Sequence, residues 1–242
     1  MVAQIRELTK QGYKEVVLTG VDVSDYGNGL PGELTLGQLC KKILTLVPEL
    51  PRLRISSIDA VEVDDVLLDL IAAEERLMPH MHLSLQAGND MVLKRMKRRH
   101  LRHDIVDFCT KLRKLRPDMV YGADIIAGFP TETDEMFADT LNLIDEVGLT
   151  YLHVFPYSSR PGTPAAKMPQ VEKALRKERA AKLRAAGKAQ EQALYTSIIG
   201  TTQRVLMEQN GVGHTEQFVA VKHAAGKPGE LLELEISEQM VM

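Results

Sequence analysis

The stretch HMHLSLQAGN (residues 80–89) alternates apolar and polar side chains and then ends in amide and glycine residues. Four similar runs occur along the chain: EVVLTG (15–20), LRISSI (53–58), MVYGADII (119–126) and YLHVF (151–155). Segments with a helical spacing of apolar residues separate the runs, which is typical of parallel strands joined by right-handed helical crossovers. Five strands are too few for a closed eight-stranded barrel, so the sequence predicts an α/β fold with a partial parallel (β/α) barrel.

Polar and glycine residues follow nearly every predicted strand. The segments are TGVD (19–22), SS (56–57), QAGN (86–89) and YSSR (157–160). Because the carboxyl ends of parallel barrel strands lie on one side of the barrel and bind ligands there, we expect the functional site at this end.

The last third of the chain has a different pattern. An Ala-, Lys- and Arg-rich helix is predicted over 171–194, and its sparse apolar positions indicate a surface helix that links two parts. Short strands are predicted at 203–208, 218–221 and 231–236, with a turn at Asn210-Gly211, which indicates a small C-terminal all-β module. The predicted domains are the partial barrel over 1–165, the linking helix over 166–196 and the β module over 197–242.

The composition is that of an ordinary globular protein. The chain has 242 residues, of which 44% are hydrophobic and 26% charged, and its formal net charge is -3. No apolar run approaches the roughly 18 residues of a membrane span, and residues 1–7 are unlike a signal peptide, so we expect a cytoplasmic protein without a membrane partner. Cys40 and Cys109 lie in helical patterns, which favours buried reduced thiols over a disulfide or a metal site.

Charge is distributed unevenly along the chain. Acidic residues dominate 59–75, whereas basic residues dominate 94–116 and again 167–188. Such basic blocks form either a phosphate-binding surface or a solvated helix face, and charge alone does not choose between them.

Six motifs, in this order, resemble those of a known family. They are LTGVD (18–22), RISSID (54–59), HLSLQAGND (82–90), VLKRM (92–96), DIIAGFPTET (124–133) and HVFPYSSRPGTP (153–164). The series is similar to the radical-SAM barrel of methylthiotransferases, and the resemblance covers nearly the whole chain. SID (57–59) and HVFPY (153–157) look most similar to the branch that acts on N6-threonylcarbamoyladenosine beside the tRNA anticodon. The β module resembles the TRAM domain with which this family holds RNA.

The resemblance implies S-adenosylmethionine (SAM) as a cofactor and two 4Fe-4S clusters in an intact enzyme. Family members carry three cysteines for an auxiliary cluster in an N-terminal domain and a CxxxCxxC loop for the cluster that cleaves SAM. Neither motif occurs in this sequence, and such clusters need thiolate ligands. We therefore expect a fragment that ligates no cluster and is inactive alone, and we predict no catalytic and no metal-binding residue in it.

The chemistry implied for an intact enzyme starts with cleavage of SAM to a 5′-deoxyadenosyl radical, which abstracts hydrogen from C2 of the adenine. The auxiliary cluster then provides sulfur, and a second SAM provides the methyl group. The barrel would orient the reactants and exclude water.

The residues that match SAM-binding positions of the family are Gly20, Ser57, Gln86, Arg98, Asp124 and Gly128. Gln86 is expected to bond the ribose or the carboxylate of SAM, Arg98 its carboxylate, and Asp124 the ribose hydroxyls. Gln86 and Asp124 have structural alternatives, since a buried amide or carboxylate needs partners in any case. For Arg98 the alternative is a solvated or RNA-facing arginine. Arg95 and Arg99 are rivals of Arg98 for the carboxylate.

The remaining three positions have weaker assignments. Gly20 would let the backbone approach the methionine amino group, or it is a plain strand-to-loop glycine. Gly128, together with Pro130, would shape a loop against adenine, and a purely structural role is equally consistent. Ser57 stands where some relatives have an acidic SAM contact, and this departure weakens its assignment.

The predicted partner is tRNA. Arg95, Arg99 and Arg160 are expected to contact RNA, with Arg160 on a loop at the open end of the barrel. A barrel without its first strand leaves a sheet edge unpaired, and dimerisation through that edge is an expectation.

Three histidines raise the question of a metal site. His80 and His82 share a strand face, and His153 lies on another strand, but no third ligand is placed by spacing. The sequence therefore favours structural roles for all three.

Other functions are left open by the sequence. Within the family, the substrate is alternatively an isopentenyladenosine tRNA or a ribosomal protein. A noncatalytic RNA-binding protein would use the β module and the basic helices, and would bind tRNA without binding SAM. An aldolase-like barrel enzyme ranks last, because it would usually need a strand-end lysine as Schiff base and no predicted strand ends in one.

Overall fold

Six parallel strands form the centre of the fold in the computed structural model, which describes residues 1–20, 23, 26, 27, 29, 32 and 34–242. They are β1 (Glu15–Leu18), β2 (Arg52–Ile55), β3 (Ser57–Ile58), β4 (His80–Gln86), β5 (Val120–Ala127) and β6 (Leu149–Pro156), the first two in one sheet and the last four in another. β1 pairs with β2, and β3, β4, β5 and β6 pair in succession, always in parallel. The predicted α/β class with a parallel sheet is confirmed.

The second predicted strand is interrupted. Ser56 separates β2 from β3, but its backbone N–H donates to the carbonyl of Leu18 at 2.9 Å, so β1 accompanies the chain across the break. Val21 and Asp22, in the loop predicted after β1, and Asn28 lie outside the described residues.

Helices connect the strands. The α-helices are α1 (Val2–Lys10), α2 (Leu36–Leu46), α3 (Asp65–Ala73), α4 (Asp90–Arg95), α5 (Arg102–Leu115), α6 (Asp134–Val147) and α7 (Lys173–Ile198). Helix starts follow local capping chemistry, since the side chains of Thr35, Asp64 and Thr133 accept backbone N–H groups of the first turns of α2, α3 and α6. In the described part of the chain, no helix combines the length and the apolar composition needed to cross a bilayer.

The two faces of the parallel sheet differ in chemistry. On the outer face, Leu53, Leu83 and Ile125 are fully buried in the main hydrophobic core under the helices. Burial of each such side chain contributes about 1.5–3 kcal/mol. Alternate positions of the same strands and of β6 lie on the opposite, inner face of the strands. The polar side chains there include Arg54, His82, Asp124 and His153.

Helix α7 is packed against the barrel along part of its length. Leu183 is buried in the main core, and a Cβ atom added at Gly187 would lie 2.8 Å from Cδ1 of Leu152, so only glycine permits this close approach to β6. Tyr195 and Ile198, near the other end, belong to the C-terminal core. The prediction that this helix lies on the surface is wrong for one of its faces. Leu183 and Gly187 share that face and are buried against the parallel strands.

A buried ion pair fastens α7 to the loop after β5. Arg179 is 2% and Glu132 5% exposed, and Nη1 of Arg179 donates to Oε2 of Glu132 at 2.8 Å. Nη2 of Arg179 also donates to Asp134 at the start of α6, at 2.6 Å. Burial raises the pKa of Glu132 against the charge of Arg179, so the ionised carboxylate depends on this arginine.

A second, antiparallel sheet follows α7. It contains β7 (Thr202–Met207), β8 (Val212–His214), β9 (Ala220–Lys222) and β10 (Leu231–Glu235), in the order β10-β7-β8-β9. The sequence predicts three of these strands and misses β8, because three residues around a central glycine show no strand pattern.

The antiparallel sheet is docked on the amino ends of the parallel strands. Nη1 of Arg52 donates to the carbonyl of His214 at 3.2 Å, and Nη1 of Arg54 donates to that of Glu216 at 3.1 Å. The ring of Phe218 stacks on His80 with centroids 5.5 Å apart. The carboxyl ends of the strands, on the opposite side, are left for the functional site.

Removal of the Arg179 charge is expected to destabilise the protein strongly. An Arg179→Met variant leaves the Glu132 carboxylate buried without its partner, and breaking a buried pair in this way costs about 3–5 kcal/mol. Urea denaturation followed by circular dichroism measures the change in the free energy of unfolding. Lys182→Met is the matched control, since the ion pair of Lys182 with Glu178 on α7 is exposed, and a change within about 0.5 kcal/mol is expected. Equal losses in both variants would contradict the assignment.

Candidate functional site

An open cleft lies where β4, β5 and β6 end. It consists of two adjoining cavities of about 620 and 550 Å³, and the walls of both include Gln86, Ile126 and Arg160. Other lining residues are Asp124, Phe155 and Tyr157 in the first cavity and Arg95, Lys97 and Arg98 in the second. Five of the nine residues predicted from the sequence thus share one cleft, namely Gln86, Arg95, Arg98, Asp124 and Arg160.

Gln86 reaches the cleft through a strained backbone. Its φ is 70°, in the left-handed region that non-glycine residues rarely adopt, and the register between β4 and β5 shifts between Leu83 and Gln86. Such conformations concentrate at functional sites, because the strain must be offset by surrounding structure. The side chain of Gln86 thus lines the cleft, and its ligand-binding role stays a prediction.

Asp124 joins two histidines on the inner face of the sheet. Its Oδ1 is 3.0 Å from Nε2 of His82 and 3.1 Å from Nδ1 of His153. The hydrogen bond from His82, followed by the charge of His82 and the bond from His153, lowers the pKa of Asp124. Because both contacts use Oδ1, the predicted role in binding ribose hydroxyls would fall to Oδ2.

His80 belongs to the floor of the barrel and not to the cleft. Besides stacking on Phe218, its ring meets that of Tyr151 edge to face at 5.5 Å. Burial, followed by the charge of Arg54, lowers the pKa of His80 to about 3, which keeps the ring neutral. This environment fits the structural role predicted for it.

Arg98 is held by protein groups at the edge of the cleft. Its Nη2 donates to the Ser84 carbonyl at 2.7 Å and to Oδ2 of Asp59 at 3.1 Å. Burial raises the pKa of Asp59, but the hydrogen bond and charge of His100 and the charge of Arg98 outweigh it, so the pKa is lower than usual. Arg98 is therefore fixed in place by a buried carboxylate before any ligand binds.

Much of the basic segment is neutralised locally. Arg99 forms an ion pair with Glu62, which lies in the acidic segment, and Arg102 forms one with Glu146 of α6. The basic segment is therefore neither wholly a phosphate-binding surface nor wholly a solvated helix face, because some of its arginines are paired with acidic residues. Arg99 has a protein partner, whereas Arg160 is exposed at the cleft.

Three predicted SAM contacts lie outside the walls of the two cavities. Gly20 is exposed just beyond β1, and Ser57 is exposed on β3. Gly128 has a φ of 71°, and a Cβ atom there would lie 2.3 Å from Cγ of Arg176 on α7. The position of Gly128 supports the structural alternative, since glycine is required for packing against α7.

The two cysteines do not suit an iron–sulfur cluster. Cys40 in α2 and Cys109 in α5 are both free and fully buried. Burial raises the pKa of each thiol to about 12, whereas cluster ligands are thiolates. The prediction of buried reduced thiols is confirmed.

Sequence analysis missed two aromatic residues of the cleft and the neighbourhood of His153. Phe155 is 54% exposed, and Tyr157 contacts Phe129 edge to face at 5.4 Å. The alternation in HVFPY already places His153 and Phe155 on one strand face. The sequence carries no signal for the register that pairs His153 with Asp124.

The fold is that of a known class. The sequence profile of the Radical SAM superfamily matches residues 1–144, which is more than half of the chain, and the chain belongs to this superfamily. The solved structure of coproporphyrinogen III oxidase (HemN) from Escherichia coli, a radical SAM enzyme, shares the fold with a TM-score of 0.55. The match covers 77% of this chain and 44% of that chain at 20% identity.

Within this class, the chain is similar to tRNA methylthiotransferases. It is 57% identical over 222 residues to threonylcarbamoyladenosine tRNA methylthiotransferase MtaB of Rickettsia prowazekii (strain Madrid E), covering 92% of this chain and 53% of that protein. The MtaB of Thermotoga maritima is 37% identical, with coverages of 94% and 53%. A tRNA-2-methylthio-N(6)-dimethylallyladenosine synthase of Rickettsia rickettsii (strain Sheila Smith) is 38% identical, with coverages of 85% and 46%. The chain spans about half the length of these curated relatives, and the family resemblance predicted from six motifs is confirmed.

The Asp59 carboxylate is expected to make stability acid-sensitive. Its pKa is lower in the folded protein than in the unfolded chain, so its contribution is fully present above the ordinary value of about 4 and is lost as pH falls through the folded value. An Asp59→Asn variant is therefore expected to be less stable at neutral pH, with a difference that shrinks below about pH 4. Urea titrations across this range measure it.

Asp69→Asn is the control for that titration, because Asp69 is exposed on α3. Its stability should follow that of the parent protein at every pH. A difference between Asp59→Asn and the parent that stays constant down to about pH 3 would show that the carboxylate charge is not what stabilises the contact.

Proposed function

We propose that this chain supplies the SAM-binding cleft and part of the tRNA-binding surface of a tRNA methylthiotransferase. The complete enzyme would add a methylthio group to N6-threonylcarbamoyladenosine beside the anticodon. One observation carries the proposal: Gln86, Asp124, Arg98 and Arg160 converge on a single cleft, in a chain 57% identical over 92% of its length to a protein named for this activity.

The identity of two relatives supports this substrate over dimethylallyladenosine. The relative from R. prowazekii, named for threonylcarbamoyladenosine, is 57% identical, whereas the one from R. rickettsii, named for dimethylallyladenosine, is 38% identical. A tRNA substrate is also compatible with the exposed arginine at the cleft.

The chemistry of the cleft fits SAM. Nε of Arg98 is buried and has no hydrogen-bond partner among the described residues, and the carboxylate of SAM would provide the missing acceptor. The Gln86 amide and Oδ2 of Asp124 would bond the ribose. SAM supplies a methyl group and a 5′-deoxyadenosyl group when bound, and the residues of this chain would bind and orient it and exclude water.

The basic rim of the cleft fits a phosphate backbone. Lys97 and Arg95 line one cavity, and Arg160 lines both. The antiparallel sheet after α7 would act as the TRAM-like RNA-binding module, so tRNA would contact two separate parts of the chain.

Cluster ligation would fall to parts of the complete enzyme other than this chain. Cys40 and Cys109 are buried on different helices, so we propose that the chain ligates neither of the two 4Fe-4S clusters and is inactive alone. Cytoplasmic location and pairing of two copies through β1, which bonds to β2 alone among the described strands, belong to the same proposal.

Binding of an anticodon stem-loop tests the RNA-binding part of the proposal. Fluorescence anisotropy is expected to show affinity that falls with salt, because phosphate contacts release counterions. Arg160→Ala should weaken binding to all sequences and reduce the salt slope by about 1. Lys41→Ala is the control, since Lys41 is exposed on α2 in the outer layer of helices. Salt-independent binding, or equal effects of the two variants, would contradict a phosphate contact at the cleft.

Equilibrium dialysis with SAM tests the cofactor-binding part. Gln86→Ala and Arg98→Ala are expected to lower SAM affinity, each by removing hydrogen bonds worth about 1–3 kcal/mol, or roughly 5- to 150-fold. Binding of the stem-loop without any binding of SAM would favour a noncatalytic RNA-binding protein.

Anaerobic reconstitution tests the proposed lack of a cluster. After incubation with iron and sulfide, the purified chain is expected to hold no stoichiometric acid-labile sulfide, because both thiols are buried and protonated. A stable cluster would overturn this and would point to ligation by thiols that become exposed.

A further inference from the structure

Three side chains of metal-ligand type meet inside the barrel. His82 comes from β4, Asp124 from β5 and His153 from β6, and one ligand atom of each lies within 4.8 Å of the other two. The sequence analysis considered His80, His82 and His153, whereas the structure replaces His80 by Asp124. We propose that His82, Asp124 and His153 form a binding site for a single divalent ion of the Zn²⁺, Co²⁺ and Fe²⁺ class.

The distances suit such an ion. Metal bonds to imidazole nitrogen and carboxylate oxygen are about 2.0–2.2 Å long, so neighbouring ligand atoms in octahedral or tetrahedral coordination lie about 3.0–3.4 Å apart. Oδ1 of Asp124 is 3.0 Å from Nε2 of His82 and 3.1 Å from Nδ1 of His153. A small rotation of the more exposed ring, that of His153, would bring the two nitrogens to the same ion. Two imidazoles and one carboxylate are the ligand set that Fe²⁺ and related ions take on one face of their coordination sphere.

The ligands are held by strands and not by loops. Asp124 and His153 are direct partners in the β5–β6 register. His82 lies beside Gly122 in the β4–β5 register, and a Cβ atom at Gly122 would be 2.5 Å from Nδ1 of His82. Glycine at this position therefore makes room for the His82 ring in its present orientation. Ligands on rigid elements are pre-organised, which reduces the entropy cost of binding an ion.

The site has one protected and one open side. The His82 side chain is 11% exposed, whereas that of His153 is 63% exposed, and Asp124 lines the larger cavity of the cleft. An ion bound here would keep coordination positions directed at the cleft, as in sites that bind a further ligand, and unlike a closed structural site.

Titration with Co²⁺ tests the inference directly on this chain. The protein is treated with a chelator, the chelator is removed, and Co²⁺ is added while its visible absorption bands are recorded. Binding of one ion per chain is expected, with displacement by Zn²⁺. His153→Gln should weaken Co²⁺ binding by at least about 10- to 100-fold, the range seen even for loss of groups that only support a ligand. This variant is chosen because the exposed ring of His153 should tolerate replacement without unfolding.

Two further variants separate this site from adventitious binding. Asp124→Asn should also lose the ion, whereas His103→Gln should bind Co²⁺ like the parent, because His103 is 65% exposed on α5 and pairs with Asp104. Circular dichroism and thermal denaturation establish that each variant is folded. Absence of Co²⁺ bands in the parent, or bands that persist unchanged in His153→Gln and Asp124→Asn, would overturn the proposal and leave the three residues as a hydrogen-bonded network.

Discussion

The ion pair between Arg179 and Glu132 connects helix α7 to the loop after β5, next to the cleft. Glu132 accepts the backbone N–H of Gly128 in the loop after β5, so this loop and α7 are fixed together. Nη1 of Arg176, one turn earlier on α7, donates to the carbonyl of Tyr157 at the end of β6 at 2.6 Å. The walls of the cleft therefore take their position from a helix that runs about 39 Å to the antiparallel sheet.

The two faces of the parallel strands have different roles. One face forms the hydrophobic core, and the other carries the polar side chains near the cleft. The outer face is apolar and forms the main core with the helices. On the inner face, His82 and His153 bond to Asp124, and Arg54 bonds to Glu15. Polar groups on a half-covered face need such partners, because unpaired buried charges are costly. The Arg98 and Asp59 pair at the rim follows the same rule, so ligand-binding side chains are ordered in advance.

Sequence patterns were sufficient to predict the parallel strands and most of the charged and amide residues that line the cleft. Gln86 ends β4, Arg160 follows β6, and Asp124 lies near the carboxyl end of β5. The carboxyl ends of neighbouring parallel strands meet by geometry. The register between β5 and β6 is set by tertiary packing, so the contact of Asp124 with His153 had no signal in the sequence. Gly128 was ambiguous for the same reason, because the residue it packs against lies on α7, far along the chain. The break at Ser56 and the three-residue strand β8 involve too few residues for periodicity to detect.

Phe218 lies across the amino end of the barrel, with its backbone in the left-handed region and its ring between His80 and His214, at centroid distances of 5.5 and 4.7 Å. Arg54 lies over the same ring at 5.0 Å, so this end is occupied by side chains of both sheets. In the described part of the chain, these side chains fill the amino end of the strands, and the cleft lies at the opposite, carboxyl end. A ligand that binds deep in the cleft beside Asp124 would have to enter before a ligand that binds at the rim beside Arg160, and would leave after it.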